Sequence, residues 1–436
     1  MEDKLMIKRR IFLCLMMTFL LSMTSVNAAA KPKDTFQQVT LKNGLKLMYR
    51  VMKGEPTVSM CAVIPIGMNY TGKKSIAHLT EHMIFRGSEI YSFSDILNVT
   101  SRQGGTFSGF TTFKATTYNF VVPQANFDAA FQVFNSMLWS ATLKEHDFTL
   151  EQKIVLHEAD MNYASRLPGY SVLRYFYPEH SDTPETVYGI AAQDLKDFYQ
   201  SYYQPANATY IMAGDFQPEA VIAELERLKN VYGESSKKIS DSIIKEFELP
   251  QGEIVAEKNL YPYHYQVLLG YQFSGLSPAD RMVLQILGYL YGSTYRIDYQ
   301  KNEFQKYYVL NRSVGDRDYF GMYYLERNHP YHEESVQQSK ANLLKFIRQF
   351  RKVDLKKARK NMAFLVELER IQSERSAAGA VEYELQRLTE TENITVDSLA
   401  VLNKLSQRDL ERVINKYFVQ PPTTCVIVKH NPEGGD

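Results

Sequence analysis

Residues 41–50 alternate apolar and polar positions around Asn43-Gly44, which predicts a turn and a strand leaving it. Residues 58–65 (VSMCAVIP) form an almost unbroken apolar run, short enough for a buried strand. Residues 75–85 predict a helix, and 111–122, rich in Thr, Phe, Tyr and Val, a strand. Residues 127–138 have a helical apolar face, and 150–164 read as a further helix with Thr149 as its N-cap. A helix over 194–203 precedes a strand over 209–212. Residues 229–253 break the pattern: they are polar and charged and carry Gly233, Ser235, Ser236 and Pro250. Beyond them the plan recurs, with a strand over 265–273 and helices over 279–291, 334–351 and 355–374.

The two halves end alike. Asp194-Leu195 precedes Tyr202, and Asp409-Leu410 precedes Tyr417 at the same spacing. Each Tyr leads to a proline (Pro205, Pro421), a threonine (Thr209, Thr424) and an apolar strand. A helix–strand unit closing each half predicts two similar domains, over residues 29–230 and 254–436, joined by a linker at 231–253. Strands and helices without a regular βαβ rhythm place the chain in the α+β class.

The first 28 residues are an address. Lys8-Arg9-Arg10 precedes an apolar run over 11–23, and Val26-Asn27-Ala28 supplies small residues for cleavage after Ala28. The run is too short to cross a bilayer comfortably, so no stable membrane span is expected after cleavage. Such a signal peptide predicts export across the inner membrane, to the periplasm. Removing it takes four basic and two acidic residues and leaves the chain near neutral. Over 436 residues, Lys+Arg 50 against Asp+Glu 49 excludes electrostatic nucleic-acid binding as the main task. A hydrophobic share of 44% excludes a mainly disordered chain. Three cysteines exclude a disulfide scaffold. Cys61 and Cys425 sit in apolar strand-like runs and are expected as buried free thiols.

The segment that carries chemistry is His78-Leu79-Thr80-Glu81-His82. Residues four apart on a helix share a face, so His78 and His82 can offer two imidazole nitrogens to one metal, with Glu81 on the flank. Catalytic zinc takes three N/O ligands and an open position for water, and a neighbouring carboxylate can remove that water's proton. The order H-x-x-E-H is the inverzincin signature. Glu151 and Glu158 are two turns apart on the predicted helix 150–164, so either can supply the third ligand while the other orients an imidazole or the base. His157 points about 100° away from Glu158 and is read as structural. The bland alternatives are a solvated histidine pair and, for Glu151, a helix-start carboxylate favoured by the dipole.

At these residues the chain resembles the pitrilysin and mitochondrial-processing-peptidase family of zinc metallopeptidases, over nearly its whole mature length. The resemblance begins with Leu41-x-Asn-Gly-Leu and the Gly67 loop. It continues through His78-x-x-Glu81-His82-Met83-x-Phe85-x-Gly87-Ser88, Gly104-Gly105 and Thr117-Tyr118. Glu158 falls 76 residues after His82, at the family's distance for its distal ligand, and Glu151 one heptad earlier. Tyr203-x-Pro205-x-Asn207 leading to Gly214-Asp215 matches the usual close of the first domain.

The resemblance implies His78, His82 and Glu158 as ligands of one Zn2+ per chain, Glu81 as general base and Glu151 behind the ligands. It implies two similar α+β domains, each a mostly antiparallel sheet backed by helices, forming half of a clam-shell chamber. A peptide substrate would add as a strand to a sheet edge. Two departures stand out. The family usually has Asn-Ala in the substrate-edge strand, where this chain has Ser108-Gly109. The family's second-domain Arg and Tyr, seven apart, align with Lys301 and Tyr308, so a point charge replaces a fork-shaped donor. Some members divide the work between a zinc-holding subunit and a similar zinc-less one, so a homodimer or such a heterodimer is expected.

The expected function is therefore a zinc-dependent endopeptidase acting on peptides or unfolded segments. One rival is a non-catalytic or partner-dependent scaffold subunit, and another is a metal-storage protein. The absence of an arginine at Lys301 favours the first rival, and the complete set of ligands and base opposes it.

Overall fold

The computed structural model describes residues 36–164, 182–228, 237–240, 243, 248–258, 263–291, 297–298, 303–304, 307–314, 317–326, 328–389 and 399–432. The leader at 1–28 and Lys301 lie outside these residues. Tyr308 is described as backbone only.

The first half contains β1 (Gln37–Thr40), β2 (Lys46–Val51), β3 (Thr57–Ile64), α1 (Ile76–Ile84), α2 (Phe93–Val99), β4 (Thr106–Thr111), β5 (Thr116–Pro123), α3 (Phe127–Trp139), α4 (Glu145–Ala164), α5 (Pro184–Tyr188), α6 (Ala192–Tyr202), β6 (Thr209–Gly214) and α7 (Pro218–Arg227). The second contains β7 (Gly252–Lys258), β8 (Tyr265–Ser274), α8 (Pro278–Tyr291), β9 (Ile297–Asp298), β10 (Glu303–Phe304), β11 (Tyr307–Val314), β12 (Arg317–Glu326), α9 (Glu333–Phe350), α10 (Leu355–Arg375), α11 (Ala377–Thr389), α12 (Leu399–Lys404), α13 (Gln407–Tyr417) and β13 (Thr424–His430).

The two large sheets share one topology. The first runs β1-β2-β6-β3-β5-β4 and the second β11-β12-β8-β13-β7. In each, the closing strand slots between two earlier ones, parallel to the first and antiparallel to the second: β6 between β2 and β3, β13 between β7 and β8. The helix–strand unit repeated in the sequence is therefore the central wedge of each sheet. The match also makes β11 the counterpart of β4, both at a sheet edge, and α8 the counterpart of α1.

One face of the first sheet, from Val58, Met60, Ala62, Ile64, Tyr118, Phe120 and Met212, packs with α1, α3 and α6 in one core. The alternate residues Cys61 and Val63 point the other way and are also buried. There α11, from the second half, lies on β3 and β6 with Ala377, Ala380 and Val381 buried. Cover on both faces explains why the run over 58–65 lacks alternation. The second sheet packs α8, α9, α10 and α13 on one face, and its other face takes Phe113 from the turn between β4 and β5. The two halves thus meet at the hairpin that carries the edge strand.

Local differences from the sequence expectations have local causes. The expected strand over 111–122 is a hairpin, since the chain reverses at residues 112–115 to pair β4 with β5. The helix expected from Leu150 starts five residues earlier, with Glu145 and Asp147 in its first turn, so Thr149 lies inside it and caps nothing. Gly44 is left-handed at φ 87° and closes the turn between β1 and β2. Asn207 binds Tyr202 O and Lys237 O through Nδ2 and accepts from Ile239 N, so it ties residues 237–239 to the first half. Cys61 and Cys425 are buried and free. No helix among the described residues is long and apolar enough to cross a membrane.

Candidate metal and catalytic site

The site grows from α1. Its apolar residues Leu79, Met83 and Ile84 are fully buried in the first core, which fixes the helix and leaves His78 and His82 on the adjoining face. Their ring centroids are 4.9 Å apart. Just before the helix, Ser75 takes a left-handed φ of 62° that is uncommon for a non-glycine residue. A 2.8 Å contact between its hydroxyl and that of Thr186 in α5 holds it there.

The third group comes from α4, which packs against α1. Glu158 Oε2 lies 3.5 Å from His82 Nε2 and 3.9 Å from His78 Nε2. His78, His82 and Glu158 form the metal-capable cluster found among the described residues, with one donor atom from each within 4.8 Å of the others. His157 points away from it and is exposed.

The far side of each imidazole meets a second carboxylate. Glu151 Oε2 lies 2.8 Å from His82 Nδ1, and Asp182 Oδ2 lies 2.8 Å from His78 Nδ1. A carboxylate can only accept, so each Nδ1 donates its hydrogen outward, and each Nε2, on the Glu158 side, is the nitrogen left for a metal. Glu151 is buried, and Arg86, in the turn just after α1, grips its other oxygen. Asp182 stands immediately before α5, which a Thr183–Thr186 capping box starts and a Gln152 Nε2→Val187 O bond ties to α4.

The carboxylates set the charge of the site. Burial alone would lower the His82 pKa, but Glu151 and Glu158 outweigh it and push it up to about 10. For His78, Asp182 likewise overcomes burial and raises it. Hydrogen bonding to His82 holds Glu158 below the usual carboxylate range despite its partial burial. Glu81 behaves oppositely: burial raises it, more than the nearby histidines and Thr111 lower it.

Glu81 leaves α1 toward β4. Thr111 Oγ1 donates to Glu81 Oε2 at 2.9 Å, and Glu81 Oε1 lies against Gly109. Ser108 and Gly109 sit in β4, which ends the sheet on that side. Tyr308 lies on β11, opposite Tyr323 of β12.

The fold therefore gathers His78, His82, Glu158, Glu81 and Glu151 at one place, with Ser108 and Gly109 beside them. Three participants escaped the sequence reading: Asp182, Arg86 and Thr111. Arg86 could have been found from its nearness to His82 in the chain, as the first arginine after the helix. Thr111 could have been found from strand alternation with Gly109. For Asp182 the chain offers only a Thr-Pro cap start, because its partner is 104 residues away.

Residues 49–168 match the family model described as insulinase (peptidase family M16), and residues 189–362 match the peptidase M16 inactive domain. The chain belongs to the M16 peptidase family. The M16 match over 49–168 contains His78, Glu81, His82, Glu151 and Glu158. The zinc protease PqqE of Helicobacter pylori is 26% identical over 431 residues, covering 90% of this chain and 92% of the relative. Among solved M16-like folds, a protease from Helicobacter pylori superposes with a TM-score of 0.71 at 22% identity, over 91% of this chain and 99% of that one. The periplasmic protease PqqL from Escherichia coli gives 0.64 at 14% identity, over 93% of this chain but 48% of PqqL. This M16 chain thus has the two-domain α+β fold and spans about half the length of PqqL.

Proposed function

We propose that the chain is a zinc endopeptidase of the periplasm that hydrolyses peptides or unfolded protein segments. The observation that carries this reading is the convergence of His78, His82 and Glu158, with Glu81 beside them and the edge strand β4 alongside. The donor set fits zinc: two imidazole lone pairs and a carboxylate, separated by 3.5 and 3.9 Å. Ligands of a tetrahedral zinc are about 3.4 Å apart. His78, His82 and Glu158 would hold one ion per chain, while Glu151 and Asp182 fix the two imidazoles. When bound, zinc supplies Lewis acidity, which polarises a carbonyl and acidifies water.

The chain's own groups do the rest. Glu81 takes a proton from the attacking water and later returns it to the leaving amine nitrogen. A substrate would pair as an added strand along β4, beside the backbone of Ser108 and Gly109. Lys301 and Tyr308 would donate to the developing oxyanion from the second domain. The equivalence of β11 and β4 supports the assignment of Tyr308.

We further infer that domains 29–230 and 254–436, joined at 231–253, make half of a chamber completed by a second copy or by a similar zinc-less subunit. The solved chains of PqqL and of the ferredoxin protease FusC support this, because this chain covers 48% of each. Export is supported by the leader at 1–28 and by the periplasmic description of PqqL. A partner-dependent scaffold role is the second reading, favoured by the match of residues 189–362 to a model described as an inactive domain.

The deciding experiment is hydrolysis of a quenched fluorescent peptide library by the purified protein, with Glu81→Gln as the blank. Cleavage by the wild type alone, stopped by a chelator, is the expected result. Zinc bound at one per chain without cleavage would overturn self-sufficiency and favour the partner-dependent reading.

A further inference from the structure

We infer that Thr111 is a positioning residue for the general base, and that Gly109 makes that position reachable. The inference rests on the endopeptidase reading, in which Glu81 handles the proton. Residues two apart on a strand share a face, so Gly109 and Thr111 look the same way from β4. The intervening Phe110 looks the other way and is exposed. The shared face is the one against α1: Thr111 Oγ1 donates to Glu81 Oε2 at 2.9 Å. A Cβ on residue 109 would stand 2.3 Å from Glu81 Oε1 and 2.7 Å from Phe85 Cε2. With an alanine here, the Glu81 carboxylate or the Phe85 ring would have to shift from the place it now holds.

The consequence is a division of labour between the carboxylate oxygens. Oε2 is occupied by the Thr111 hydroxyl, which stops the carboxylate rotating. Oε1 is left to take the proton from water and give it to the amine. The edge strand along which a peptide would pair also holds the base, so substrate backbone and proton acceptor would be registered to the same element.

The test uses the full-length exported protein with Thr111→Val, Thr111→Ser, Gly109→Ala and the Thr111→Val/Gly109→Ala double variant. A quenched fluorescent peptide gives kcat and KM, metal analysis gives zinc per chain, and crystal structures of the zinc-loaded wild type and Thr111→Val locate Glu81. Thr111→Val is expected to lower kcat about tenfold with KM and zinc content unchanged, and Thr111→Ser to restore it. Gly109→Ala is expected to cost as much, and the double variant no more than either single one. An unchanged kcat in Thr111→Val, no rescue by serine, or additive losses would overturn the inference. A wild type that binds zinc but cleaves nothing counts against the endopeptidase reading instead. In that case the crystal structures still decide: a Glu81 carboxylate that keeps its place in Thr111→Val sinks the positioning role.

Discussion

Asp182 Oδ2 lies 2.8 Å from His78 Nδ1, matching the 2.8 Å between Glu151 Oε2 and His82 Nδ1. The two histidines of one helix are therefore set by carboxylates from two different elements. Outer carboxylates of this kind orient a ligand and raise its basicity. Asp182→Asn is expected to weaken zinc binding by about 10- to 100-fold, with little change in unfolding midpoint. Competition against a fluorescent chelator checks it. Unchanged affinity would show that α1 alone orients His78.

Arg86 covers the charge of Glu151, which is only 3% exposed. Removing the arginine takes the permanent positive charge from a buried carboxylate and leaves it to the His82 imidazole. Arg86→Met is expected to destabilise the fold by about 3 kcal/mol in urea unfolding. Adding Glu151→Gln should recover part of that loss, since the buried charge is then gone. A double variant less stable than Arg86→Met would refute this account.

The second half has its own buried carboxylate. Asp280, in the first turn of α8, accepts from Tyr417 Oη at 2.7 Å and from Arg412, with Lys416 Nζ 3.8 Å away. Burial alone would raise its pKa, but Tyr417, Arg412 and Ser277 together hold it below the ordinary 3.8. A depressed carboxyl stabilises the fold above its unfolded value and loses that contribution as pH falls through the folded value. Asp280→Asn should therefore cost about 1–3 kcal/mol at pH 7. The gap to wild type should close as pH falls below 3.8. A gap independent of pH in this range would mean that the charge plays no part.

Small residues let α11 lie on the first sheet: Ala380 is 1% exposed between that helix and β3 and β6. Ala380→Leu is expected to cost about 1–3 kcal/mol by overpacking. The same contact seals Cys61, whose thiol burial pushes well above its usual range, and burial likewise raises Cys425 to about 11. Neither thiol should react with a disulfide reagent at neutral pH until the protein unfolds. Prompt labelling of Cys61 in the native protein would show that α11 does not stay docked.

Much of this was written locally. The α+β class, the paired ends of the two halves and the His78–Glu81–His82 face follow from periodicities of two and 3.6, which need only neighbouring residues. Glu151 and Glu158 were also legible, because one helix fixes their spacing. What the chain order could not express is contact between elements. Asp182 meets His78 only because α5 docks beside α1, and Thr111 meets Glu81 only because the hairpin turns at 112–115. The unbroken apolar run in β3 gave no hint of which element covers its second face. That it is α11, more than 300 residues further on, is a matter of how two sheets and their helices pack, which depends on surfaces assembled only when the whole chain has folded.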